Sequence, residues 1–174
     1  EYCYFKNCGS GDKDKHAAGM VVYGKSNTMN FVFRYNVMEN IMAVGGTGYI
    51  TLGDDWGTPS SGYELYGNVF FASSTLEGPG AYVLGNTGDD VTNGVLFYNN
   101  TIAGLHGYAS RISFNNTNTT NIAMNNLWIG CERSPTFTNC RDSSNILNTV
   151  KVDTVEDIES GNVRPTGPLP GVAL

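Results

Sequence analysis

Hydrophobic and polar positions alternate over short runs in this chain, and one such run keeps returning. Phe31-Val32-Phe33-Arg34-Tyr35-Asn36-Val37-Met38 is echoed by Tyr63-Glu64-Leu65-Tyr66-Gly67-Asn68-Val69-Phe70 and by Val95-Leu96-Phe97-Tyr98-Asn99-Asn100-Thr101-Ile102. The Asn positions step by 68 − 36 = 32 and 100 − 68 = 32 residues. A fainter copy, Tyr2-Cys3-Tyr4-Phe5-Lys6-Asn7-Cys8-Gly9, precedes them at 36 − 7 = 29. Another, Asn121-Ile122-Ala123-Met124-Asn125-Asn126-Leu127-Trp128, follows at 126 − 100 = 26 if Asn126 is the equivalent, and Asn125 fits the register equally.

Alternation of period two, interrupted by one Asn, predicts a strand that bends. Asn enters the left-handed backbone region more readily than branched residues do. A repeat of roughly 20 to 50 residues predicts stacked units, each too small to bury its own apolar face. Asn7, Asn36, Asn68, Asn100 and Asn126 then read as one amide per coil, an internal ladder with a structural role.

A second segment recurs between these strands. Gly19-Met20-Val21-Val22-Tyr23-Gly24-Lys25 is echoed by Gly48-Tyr49-Ile50-Thr51-Leu52-Gly53-Asp54 and by Gly80-Ala81-Tyr82-Val83-Leu84-Gly85-Asn86. A third short strand is expected after each Asn, over 37–42, 69–72 and 101–104. Polar connections fall at 6–18, 54–62, 73–80 and 85–94, and the pattern fades after Cys140. Residues 1–150 are therefore expected to form the solenoid, and 151–174 an irregular C-terminal tail packing on it or leaving it.

Composition agrees, with 22 Gly and only 15% charged residues, which suits strands and turns better than helices. The net charge of −6 argues against a nucleic-acid partner, because no basic stripe is present to neutralise phosphates. No apolar run approaches the roughly 20 residues of a membrane-spanning helix. Cys3 and Cys8 bracket four residues and Cys131 and Cys140 bracket eight, which predicts two local disulfides and an oxidising compartment. Those spacings do not fit a zinc site. The chain starts inside a repeat and ends in a Pro- and Gly-rich stretch, the pattern of a processed secreted protein or a piece of a longer one with uncapped coils.

The repeat around Val95 to Ile102, with its copies from about Tyr2 to Gly130, resembles that of the right-handed parallel β-helix proteins of the pectate-lyase-like superfamily. The resemblance implies an all-β, right-handed parallel β-helix solenoid of about five to six coils. It also implies a secreted or extracellular surface protein that binds or processes polysaccharide, as a lyase or glycoside hydrolase if it is catalytic. One fold hosts many activities, so the candidate residues have to carry that expectation.

Gly24-Lys25-Ser26-Asn27 is similar to the Lys-Ser segment of the alginate-lyase and chondroitinase B group, whose Lys abstracts a proton beside a carboxylate. The next coil, Thr51-Leu52-Gly53-Asp54-Asp55, lacks the Arg of that group. Asp54-Asp55 and Asp89-Asp90 offer paired carboxyl groups of the kind a glycosidase uses, and Gly53-Asp54-Asp55 with His106 and Arg111 is similar to segments of polygalacturonase-like hydrolases. The plain reading of adjacent Asp residues is turn solvation. The same four carboxylates could hold Ca²⁺, the only cofactor the sequence suggests. Trp56, Tyr49 and Tyr82 are candidate sugar-stacking rings, with His106 and Arg111 as polar partners. The competing expectation is a structural or adhesive fibre subunit, built without catalysis by end-to-end stacking of uncapped coils.

Overall fold

The computed structural model describes residues 1–9, 18–24, 30–41, 47–54, 60–72, 82–86, 92–106, 110–115, 120–148, 155–156 and 164–165. Three parallel sheets run along one axis, and the chain visits them in turn. The first sheet contains β1 (Tyr4–Lys6), β4 (Val37–Glu39), β7 (Val69–Phe71), β10 (Thr101–Ala103), β13 (Leu127–Ile129) and β16 (Ile146–Asn148). The second contains β2 (Met20–Gly24), β5 (Ile50–Asp54), β8 (Leu84–Gly85), β11 (Ile112–Ser113) and β14 (Phe137–Thr138). The third contains β3 (Phe31–Arg34), β6 (Ser60–Tyr66), β9 (Thr92–Tyr98), β12 (Ile122–Met124) and β15 (Arg141–Ser143). Each strand pairs in parallel with the strand three places on, so the molecule is an all-β parallel β-helix of five to six coils. Beyond it, β17 (Val155–Glu156) pairs antiparallel with β18 (Arg164–Pro165).

Parallel stacking in register places like residues above like, which is why the sequence repeat is visible at all. In the first sheet Phe5, Met38, Phe70, Ile102 and Trp128 form one interior column, which ends in register with the exposed Leu147. In the third, Phe33, Leu65, Phe97 and Ala123 form another. Met38, Phe70, Ile102, Trp128, Leu65 and Phe97 are fully buried in one continuous core. Trp128 keeps its indole N–H satisfied by donating to the Ser110 carbonyl at 2.9 Å.

The corner between the third and first sheets carries the repeat's Asn. The residue before it has a positive φ in every coil: Tyr35 at 56°, Gly67 at 65°, Asn99 at 54°, Asn125 at 51° and Ser144 at 53°. The residue after that bend is the buried amide. Asn36 donates its backbone N–H to Asn68 Oδ1 at 2.9 Å, and its side-chain amide reaches the same oxygen at 3.1 Å. The pattern repeats from Asn100 to Asn126 at 2.9 and 3.0 Å and from Asn126 to Asn145 at 2.8 and 2.9 Å. Spare amide hydrogens close onto strand carbonyls, Asn68 to Phe33 at 2.9 Å and Asn100 to Leu65 at 3.0 Å.

The ladder therefore includes Asn126 rather than Asn125, and it continues to Asn145. Asn7 is not part of it. Tyr4 pairs with Val37, so Cys3 occupies the ladder position, and its backbone N–H donates to Asn36 Oδ1 at 2.9 Å. Asn7 (φ 54°) instead bends the chain as it leaves the first sheet, at the corner where Asn40 (51°), Gly104 (64°) and Gly130 (59°) follow in later coils. Asn serves the two corners for different reasons, as the left-handed residue itself at Asn7 and Asn40 and as the buried amide that follows a left-handed residue at Asn36, and the two registers therefore look alike in sequence.

No disulfide is formed: Cys3, Cys8, Cys131 and Cys140 are free thiols. Cys3 and Cys8 flank the extended β1, which alone spans about 10 Å, beyond the reach of a bridge. Cys131 is buried below Leu105 on the path leaving the first sheet, while Cys140 enters the third-sheet column of Tyr63 and Val95. Burial pushes each of these thiols up to about 12.

Candidate binding face on the third sheet

The strands of the third sheet alternate inward and outward, and the outward positions also stack into columns. One column runs Val32, Glu64, Leu96, Ile122, Arg141. Its neighbour runs Arg34, Tyr66, Tyr98, Met124, Ser143. Together they put aromatic rings, aliphatic side chains and charges of both signs on one open surface.

The tyrosines form a second ladder outside the core. Tyr66 and Tyr98 stack with centroids 4.9 Å apart at 12°, Tyr35 meets Tyr66 edge-on at 5.5 Å, and Tyr2 stacks on Tyr35 at 5.5 Å. The coil spacing of about 4.8 Å is close to the separation stacked rings prefer. Arg34 lies against this ladder, with Cζ 5.8 Å from the Tyr35 ring centre and 6.0 Å from that of Tyr66. It donates to the Tyr66 hydroxyl at 2.9 Å and pairs with the Glu1 carboxylate. The Tyr66 hydrogen bond and then Glu1 hold the Arg34 guanidinium protonated well above its ordinary range. Desolvation pushes the Tyr98 phenol up, and the Glu64 carboxylate adds to it. A groove of about 500 Å³ lies here, lined by Glu1, Val32, Arg34, Glu64 and Tyr66.

The residues expected from sequence stand elsewhere. Lys25, Asp55, Trp56, Asp89 and Asp90 lie outside the described residues, and of Asp54 only the backbone is described, ending β5 opposite Gly24. A Ca²⁺ site at the Asp pairs falls outside them too, and among the described residues no cluster of three or more His, Cys, Asp or Glu could hold a metal. Tyr49 and Tyr82 cannot stack on a ligand, being 1% and 2% exposed. Tyr49 packs edge-on against Phe70 and donates to the Phe71 carbonyl at 3.3 Å, while the Tyr82 hydroxyl sits 3.2 Å from Thr51 Oγ1. Burial pushes the Tyr49 phenol well up. His106 and Arg111 lie on the path from the first sheet to the second, away from the third-sheet columns; His106 Nδ1 is 3.7 Å from Glu132 Oε2.

Arg34, Glu64, Tyr66 and Tyr98 were legible in principle. They occupy the positions two and four before each Asn, the outward half of the alternation whose inward half announced the fold. No protein-family model matches the chain, and the comparisons with curated proteins and with solved structures return no significant match. Among the described residues no helix is long and apolar enough to cross a membrane.

Proposed function

We propose that this chain is a right-handed parallel β-helix protein of the pectate-lyase-like kind that binds polysaccharide on the outer face of its third sheet. The observation that carries this reading is the groove in which Arg34, Glu64 and Tyr66 converge. Sugar recognition calls for planar polar groups that fix hydroxyls or carboxylates, beside a flat apolar surface. A guanidinium held by a phenol and flanked by carboxylates meets the first need, and Val32 with the Tyr ladder meets the second. Such a polymer is encountered outside the cell, so a secreted or surface-exposed protein belongs to the same proposal.

The test is titration against a panel of uronate and neutral polysaccharides by calorimetry, while unsaturated and reducing ends are followed to detect turnover. Binding that falls at least about tenfold in both Arg34→Ala and Tyr66→Ala is the expected result, the loss of one good polar or stacking contact each. Absence of binding across the panel, or binding untouched by both variants, overturns it.

End-to-end stacking into a filament is the weaker reading. It is favoured by six exposed large hydrophobics in the N-terminal coils, Tyr2, Tyr4, Val21, Tyr23, Val32 and Tyr35. Against it, a continuing coil would have to offer an amide oxygen to Asn145, and the first coil offers Cys3, whose sulfur is a weak acceptor.

A further inference from the structure

The outward columns of the third sheet are self-complementary along the solenoid axis. From β6 to β15 the first reads Glu64, Leu96, Ile122, Arg141: acidic, apolar, apolar, basic. Leu96 and Ile122 are partly exposed in its middle, and among the described residues neither Glu64 nor Arg141 has an ion-pair partner. In the neighbouring column Tyr98 and Met124 hold the same central places.

A two-fold axis lying in the plane of this face and parallel to its strands reverses the solenoid direction but returns each column to itself. Placed between β9 and β12, it sets β6 against β15 of a second copy and β9 against β12. Glu64 then meets Arg141 twice, once on each side of the axis. Leu96 meets Ile122 and Tyr98 meets Met124 in between. An apolar centre with charges at the rim is the ordinary anatomy of a protein interface, and a closed two-fold contact is the commonest symmetry.

We propose that two copies of this chain associate antiparallel through the outer face of the third sheet, joined by reciprocal Glu64–Arg141 ion pairs around a Leu96, Ile122, Tyr98 and Met124 centre. Four strands at about 4.8 Å spacing give a footprint of only about 400 Å² per copy, in the class of weak, reversible contacts. β3 overhangs the partner in this arrangement, so Val32 and Arg34 remain open and the groove lies at the rim.

Sedimentation equilibrium from about 10 µM to about 1 mM, a range suited to interfaces of this small class, tests the proposal. The expected result is a weight-average mass that rises towards, and stops at, twice the protomer mass, less steeply at high salt. Glu64→Arg and Arg141→Glu each weaken association at least about tenfold by setting like charges opposite one another, and the double exchange restores it. Both positions are on the surface, and circular dichroism checks that the variants fold. Arg141 lies outside the groove, so Arg141→Glu separates loss of the dimer from loss of polysaccharide binding. A monomer at the highest concentration, growth past the dimer, or a double variant no better than the singles overturns the proposal.

Discussion

Asn68 donates twice to a single atom of Asn100. Its backbone N–H and its side-chain amide each lie 3.0 Å from Asn100 Oδ1, across a sequence separation of 32 residues. Both residues are 1% exposed, so neither has water to fall back on. One amide at each corner thus satisfies the bend below it, and the coil could not turn there dry without it.

Replacing Asn68 by Leu keeps the branched heavy-atom shape, at a somewhat larger volume, and removes the rung. The backbone N–H and the side-chain amide of Asn36 then lose their shared acceptor while buried, at about 1–3 kcal/mol each, whereas the backbone N–H of residue 68 still reaches Asn100 Oδ1. Urea unfolding is expected to show a loss of at least about 3 kcal/mol. The same change at Asn7, which is exposed and outside the ladder, should cost only about 1–2 kcal/mol, from placing Leu at a φ of 54°.

The first coil is fastened to the second by a buried carboxylate. Glu39, 2% exposed, lies 3.1 Å from Lys6 Nζ, accepts from the Tyr4 hydroxyl and is 3.2 Å from Asn40 Nδ2. Lys6 is about half exposed, which reduces the penalty expected for a fully buried pair. Lys6→Met should destabilise by about 1–3 kcal/mol by leaving the carboxylate poorly compensated. Adding Glu39→Gln should recover most of that, and a double-mutant cycle in urea measures the coupling.

Alkali should unfold this protein in a way that depends on its thiols. Cys131 is pushed up from 9.0 to about 12 by burial. Between those values the unfolded chain has released the proton and the folded one keeps it, so stability is full below pH 9 and falls as pH rises towards 12. The buried Tyr49 phenol, also raised, acts in the same direction. Cys131→Ala lowers stability at pH 7 by leaving a small cavity, but its stability should fall less steeply above pH 9 in denaturant titrations. Native thiol labelling at pH 8 should mark the exposed Cys3 well before Cys131.

Two glycines hold neighbouring coils at contact distance. A Cβ on Gly48 would lie 2.1 Å from the Tyr82 carbonyl oxygen, which belongs to backbone and cannot swing aside. At Gly67 the φ of +65° is unfavourable for a side chain, and a Cβ would lie 2.6 Å from the Tyr35 ring. Gly48→Ala should cost more than about 2 kcal/mol by overpacking. Gly67→Ala should cost about 1 kcal/mol or more and also perturb the Tyr ladder, seen as a change in near-ultraviolet circular dichroism.

Sequence alone determined the local rule of this fold. Alternation in Phe31 to Arg34 and Tyr63 to Tyr66, a break at Asn, and a return after 32 residues are enough to require bending strands stacked in parallel, because stacking in register is what repeats a residue type. Tertiary structure decided which registers coincide and which side of each strand is wet. Hydrogen bonding constrains the corners but leaves the connections free in length, so the rungs fall 32, 32, 26 and then 19 residues apart, and the last, at Asn145, escapes a search for a fixed period. Asn7 and Asn36 look equivalent in sequence although Asn7 is itself the left-handed residue of its corner and Asn36 follows one, Tyr35, and only the pairing of Tyr4 with Val37 separates them. Tyr49 and Tyr82 read as sugar-facing rings until the three sheets close around them, and an aromatic ring is equally at home in either place. Glu64 and Arg141, by contrast, come from strands far apart in the chain and share a column only because three turns of the solenoid lie between β6 and β15.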